Sequence, residues 1–413
     1  MSVSPPIRPS DRTRLRELAR QVAEIAALPV MAERREMWTR HNALDRVRPM
    51  VLVFPEGAWR ELLPRDVCRC EGEPARRIEW ELRRRIYHHE HLHDDTVIEA
   101  EWFTGAVVHS TGWGLEPKWH ASDDPTGAKG FDPVLNTRDD LAKLRCPEFT
   151  YDEPATQSHH ERACDLFGDI LDVKRRGARH ISFHLTALFC NRRGLGEAMM
   201  DMAADPQFVH DAMAVFAEGE RRRVQFYVDH GLLSLNNDST YHSSGGNGYT
   251  RELPAEGFDG EHVRLCDMWG SAESQEMAQV SPEMHAEFAL AYERPLLEPF
   301  GLAGYGCCED LTRKLDDVLA VPNMRRVSIS PWADVDACAE RLGGGWIFSW
   351  KPNPAHLCGA FDLERIRRYI GHTVDVTRSC VIEMVLKDTH TCDGRPERFT
   401  QWTDVASRLA AEA

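Results

Sequence analysis

The chain has 413 residues, with 50 Lys and Arg against 66 Asp and Glu and a formal net charge of −16. Its 42 % apolar and 28 % charged residues are those of a folding globular chain, not a disordered one. The acidic balance disfavours nucleic acid and anionic membranes as partners, and no apolar run reaches the about 18 residues of a membrane span.

Residues 11–41 read as helical, with Leu15, Leu18, Ala19, Val22, Ile25 and Ala26 at helical spacing among Arg and Glu. Met50 to Phe54 predicts a strand stopped by Pro55. Residues 72–95 read as a polar, Arg-rich helix running into His88, His89, His91 and His93, and Val97 to Ala100 as a further strand. His89 and His93 form an i, i+4 pair, and imidazoles at a helix C-terminus also meet the helix dipole, the reading preferred here. Residues 111–157, rich in Gly, Pro, Asp and Trp, read as an irregular insertion.

From residue 158 helices and short apolar strands alternate. The predicted elements are helix 158–176, strand 181–185, helices 195–202 and 205–230, strand 232–235, and a long loop 236–278 holding a Ser-Ser-Gly-Gly-Asn-Gly segment. They continue with helix 281–299 behind the N-cap Ser281, strand 302–307, helix 310–320, strand 326–330 and helix 333–342. Strand 346–350, helix 362–378, strand 381–386 and helix 396–411 complete the chain. This alternation demands a mostly parallel sheet with crossover helices. About eight strands predict a (β/α)8 TIM barrel over residues 48–413, with an N-terminal helical extension (1–47) and lid insertions at 111–157 and 236–278.

A barrel places its chemistry just after the strand C-termini. That filter selects His184; Asn237, Asp238 and His242; Cys307, Cys308 and Glu309; Ser330 and Trp332; Lys351 and Asn353; and Asp388 with His390. The twelve cysteines are scattered with no signal-peptide core ahead of them, which predicts reduced thiols in a cytoplasmic protein. Among them the adjacent pair Cys307 and Cys308 followed by Glu309 stands out as a soft, anionic donor set for Zn²⁺, with His390 as a distant third ligand and Cys392 as a spare. The same residues could instead pack in the barrel wall, or pair a Cys nucleophile with His390. Asp238 reads equally as a general base or as an Asx turn, and His184 as a core histidine or a catalytic one.

Ser281-Pro282-Glu283-Met284 with Glu287-Phe288, then a strand-end cysteine motif, then Trp350-Lys351-Pro352-Asn353-Pro354, resembles the uroporphyrinogen decarboxylase superfamily over roughly residues 160–405. The resemblance implies a (β/α)8 barrel enzyme, either a metal-free decarboxylase or a zinc-dependent methyltransferase that works with a corrinoid protein. The decarboxylases' Gln-Ala-Gly-Arg signature is absent, and the matching segment, Arg48 to Glu56, carries an acid instead. The methyltransferases hold zinc through His-x-Cys and a cysteine near the last strand. Here Tyr305 or Gly306 stands at the histidine position, Cys307 and Cys308 follow, and His390 replaces the last cysteine. On that resemblance zinc rests on Cys307, Cys308 and His390, with Glu309 as ligand or support, while Asp238 and His242 orient substrate or move protons. Tyr241, Asn237, His184, Trp332, Lys351 and Asn353 would line the substrate site. The chain has no Asp-x-His-x-x-Gly motif, so any corrinoid would come on a separate protein. A homodimer, a small-acid decarboxylase using Asp238 and Lys351, and a non-catalytic small-molecule-binding barrel complete the expectations.

Overall fold

The computed structural model describes residues 7–122, 127, 129–242 and 245–413. Seven short strands form its centre: β1 (Met50–Val53), β2 (Ser182–Phe183), β3 (Trp269–Ala272), β4 (Leu302–Tyr305), β5 (Met324–Ile329), β6 (Ile347–Trp350) and β7 (Val381–Leu386). They pair in parallel in the order β1-β7-β6-β5-β4-β3-β2. Nearly every strand residue is buried, because crossover helices cover the outer face. Those helices include Val335–Leu342, Leu363–Val376 and Glu397–Glu412, which bury Leu342, Ile366, Ile370, Phe399 and Trp402 in the main core.

The expected eighth strand is absent, and no ladder joins β1 to β2 among the described residues. The reason lies at the free edge of β1. Asp95 Oδ2 accepts from the Val51 amide at 2.9 Å and Asp94 Oδ2 from the Val53 amide at 2.8 Å. Two carboxylates thus satisfy the edge that another strand would have paired, and residues 96–100 pass by without strand geometry. Residues 232–235, expected as a strand, make only an isolated bridge between Leu233 and Ala178. A parallel ribbon pairs Glu101–Gly105 with Asp172–Arg176, so the expected helix 158–176 is the helix Glu153–Phe167 followed by a strand.

Other elements also depart from expectation. The single helix over 11–41 is two, Pro9–Ala26 and Pro29–Asn42, divided where Pro29 opens the second. The helix ending in histidines runs Glu73–His91, so His93 lies beyond it with φ 51° and shares no helix face with His89. The helix after Ser281 passes through a π turn at Ala286–Leu290 ahead of Pro295, and ends at Leu297. A helix over Leu185–Arg193 and strand β3 were not foreseen. The N-terminal helices pack Leu15, Val22 and Trp38 with Leu82, Met50, Leu52 and Val385, so the extension shares a core with β1 and β7.

The loop after residue 236 runs under the sheet interior rather than over its mouth. His242 stacks on Trp269, the first residue of β3. Gly246 donates to Glu383 Oε1 at 2.6 Å, and an added Cβ at Gly245 would lie 2.0 Å from Arg326. Glu383 and Arg326 stand third in their strands, so this loop forms the floor. Tyr241 then reaches the seam between β1 and β2, its ring 4.9 Å from Phe54 and stacked on His180 at 6.4 Å. The Ser243-Ser244 part of the glycine-rich segment lies outside the described residues.

Candidate active site at the carboxyl ends of the strands

All seven strands point the same way, so one rim collects the residues that follow them. His184 follows β2, Glu273 follows β3, Cys307 to Glu309 follow β4, Lys351 follows β6, and Lys387 with Asp388 follow β7.

Gly306 turns the chain out of β4 with φ 96°, in space where a Cβ would meet Leu311 at 2.8 Å. The next residue is held on both sides: Cys307 N–H donates to Glu309 Oε2 at 2.8 Å, and its carbonyl accepts from Ser328 Oγ at 2.8 Å. The two sulfurs of Cys307 and Cys308 are 3.5 Å apart. Lys387 Nζ lies 3.9 Å from Cys307 Sγ, and Cys308 Sγ donates to Asp388 Oδ2 at 3.4 Å. Burial opposes the charge of Lys387, yet Tyr241, Cys307, Asp388 and Glu56 around it raise its pKa, so it stays cationic. The hydrogen bond to Cys307, with burial, pushes the Cys308 thiol well up.

Across the rim, His184 is half-exposed and its Nδ1 lies 2.5 Å from Oε1 of the buried Glu273. Burial works against the imidazolium, but the Glu273 carboxylate outweighs it and the His184 pKa rises, with Cys307 among the groups acting on it. Glu273 Oε2 is buried and has no hydrogen-bond partner among the described residues. Glu309 is not turned to the rim: Oε1 accepts from Ser274 N–H at 2.9 Å and Oε2 from Cys307. It braces the ends of β3 and β4 and is no metal ligand in this arrangement. Burial and the neighbouring Glu273 raise its pKa. Behind it Ser274 Oγ, His285 Nε2 and Tyr305 Oη meet within 2.9–3.2 Å, and Tyr305 donates to Glu293 Oε2 at 2.7 Å. Burial pushes the Glu293 carboxyl well up and the His285 imidazole down to about 3.

Lys351 is buried, with Nζ 3.0 Å from Ser349 Oγ. Burial pushes its amine down to about 7.

The other expected site residues are placed differently. His390 turns its Nδ1 to Gly57, 3.0 Å from where a Cβ there would stand, and its carbonyl accepts from Arg60. The set Cys307, Cys308 and His390 therefore does not converge. Among the described residues no group of three or more His, Cys, Asp and Glu side chains is placed to hold a metal ion. Cys392 donates to Glu61 at 3.1 Å, and burial with that carboxylate pushes its thiol up to about 12. Asp238 pairs with Arg176 and accepts from Thr240 N–H at 2.8 Å, the Asx turn of its alternatives. His242 Nε2 lies 3.0 Å from the Asn236 carbonyl, and burial, with Arg326, pushes it down to about 3. Asn237 donates to the Leu253 carbonyl, and Asn353 caps the turn Pro354–Leu357. Tyr241 closes the seam, and Trp332 stands 71 % exposed after β5.

Sequence reasoning passed over Glu273 because β3, Trp-Gly-Ser-Ala, has no apolar run to announce a strand. It passed over Lys387 for Asp388 beside it, although both stand at the same strand end.

No protein-family model and no curated protein matches the chain. A methyltransferase of known structure from Methanosarcina mazei is similar over 92 % of this chain and 98 % of its own, with 10 % sequence identity and a TM-score of 0.45. No helix of the described residues is long and apolar enough to cross a membrane.

Proposed function

We propose that the rim is the active site of an enzyme that transfers a methyl group from a small molecule. The observation that supports it is an acid and a soft nucleophile on one rim: His184 is held by Glu273, its pKa is raised in part by Cys307, and Cys307 lies beside the Lys387 ammonium. Methyl transfer is displacement at carbon. It needs a polarisable anion on one side and a proton for the leaving heteroatom on the other. In this reading Lys387 stabilises negative charge on sulfur at Cys307 or on an acceptor thiol bound against it, and His184 delivers the proton as the methyl departs. A corrinoid partner docked over the rim is the alternative acceptor. Zinc, implied by the resemblance, takes no part in these steps because its expected ligands do not meet.

Purified protein incubated with O-, N- and S-methyl compounds and either a small thiol or reduced cobalamin tests this, with the methyl thioether (or S-methylated Cys307) read by mass and methylcobalamin by absorbance. His184→Gln and Lys387→Met each lower turnover at least about 100-fold without loss of folding. The rate through His184 falls as pH rises past its raised pKa, since only the imidazolium donates. Unchanged turnover in both variants removes the assignment.

A second reading, decarboxylation of a small keto acid, is favoured by Lys351, whose buried amine is lowered to about 7 beside a second lysine. Under it Lys351→Met, not His184→Gln, abolishes activity.

A further inference from the structure

We propose that Cys307 and Cys308 are a redox modification site that closes reversibly to a disulfide between adjacent residues. The geometry carries it. The sulfurs are already 3.5 Å apart, while the backbone of Cys307 is pinned through both its N–H and its carbonyl. Side-chain rotation then has to bring the sulfurs only to the about 2.0 Å of a bond. Both residues are partly exposed, so a small oxidant reaches them.

The chemistry is ordinary thiol–disulfide exchange with a small disulfide such as oxidised glutathione. Cys307 loses its proton to solvent, and its sulfur, beside the Lys387 ammonium at 3.9 Å, attacks one sulfur of the disulfide and expels the first thiolate, which is protonated from solvent. Cys308, hydrogen-bonded to Asp388 at 3.4 Å, attacks Cys307 sulfur and loses its proton in doing so, and the second thiolate that it expels takes that proton up. Two thiols are oxidised by two electrons, the small disulfide is reduced to two thiols, and one new S–S bond remains. Neighbouring Cα atoms stand about 3.8 Å apart, closer than the separations disulfides usually span, so this bond is strained and easily reduced. It therefore acts as a switch, not a staple, and it occupies the sulfur that the proposed reaction uses.

The proposal stands apart from the methyl-transfer reading, because its readout is mass and not turnover. The full chain, with its metal content measured in the same sample, is treated with excess oxidised glutathione and mapped without reduction. The expected wild-type product has lost two hydrogens at Cys307-Cys308 and carries no glutathionyl group there. Cys307→Ser and Cys308→Ser, which cannot close the ring, show no such loss. In Cys308→Ser the mixed disulfide persists on Cys307. Reduced glutathione reopens the wild-type pair. A persistent mixed disulfide on the wild type, an unmodified pair, or a bond to a different cysteine each overturns the proposal.

Discussion

Glu383 is a lone acid in the apolar strand β7, and three groups hold it. Arg326 Nε lies 3.0 Å from Oε1, His41 Nε2 3.2 Å from Oε2, and Gly246 N–H donates to Oε1. Burial alone would favour the neutral acid, but Arg326 and His41 hold the carboxyl well below the usual range. Glu383→Gln leaves the buried Arg326 guanidinium uncompensated, at a cost of about 3–5 kcal/mol. Denaturant titration reads that loss, and pairing it with Arg326→Met recovers part of it if the two residues act on each other. An acid within Val381 to Leu386 is conspicuous in the sequence, but its partners stand 57 and 342 positions away and carry no local signal. The strand-end positions of Cys307, Cys308, Lys351 and Asp388 were legible by the opposite logic, since each lies within three residues of a strand whose apolar run marks its own end. Asp238 and His242 also follow an apolar run, Leu232 to Leu235, yet that run never became a strand of the sheet: Asp238 pairs with Arg176 of the ribbon and His242 went to the floor against Trp269.

Strand β1 shows how an element can be completed without another of its kind. The Asp94 and Asp95 carboxylates accept from its amides, and Arg48 and His88 hold those carboxylates in turn. Asp95→Ala frees the Val51 amide and unpairs Arg48. Stability is expected to fall by about 1–3 kcal/mol. Hydrogen exchange at Val51 is expected to accelerate more than at Val327 in the central strand β5. Equal protection at both would show that the carboxylate is dispensable. Helix and strand alternation was readable from residue 281 onward because each apolar face recurs at its own period. Helices 195–202 and 205–230 were readable as well, as Leu195–Ala204 and Pro206–Asp229, and strand 181–185 holds β2, but the rest of residues 94–278 was not. There the edges are closed by side chains, a ribbon and a folded loop, and the one sheet strand of substance, β3, is built from Trp, Gly, Ser and Ala.

At the scale of the whole molecule, buried imidazoles tie stability to pH. His242 and His285 are pushed down to about 3 by burial, from an ordinary 6.5. Below 6.5 the unfolded chain therefore takes up protons that the folded chain refuses. Stability falls from pH 6.5 towards 3, by up to about 5 kcal/mol for each histidine. Glu293 works in the other direction: its raised pKa contributes stability that is full below 4.5 and declines as pH rises. Melting temperatures of wild type and His285→Gln between pH 4 and 7 separate the two, the variant losing less on acidification. Parallel slopes would mean that His285 is protonated without cost. Periodicity and strand ends are local properties, so the residues alone announced the α/β class, most helices of the C-terminal half and the strand-end positions of the cysteine pair and Lys351. Only the assembled fold shows that the described residues form a seven-stranded sheet with no ladder between β1 and β2, and that His390 leaves the cysteines while Glu273 and Lys387 join them. Those outcomes depend on which distant side chains satisfy a buried edge or a buried charge, and no local pattern records that choice.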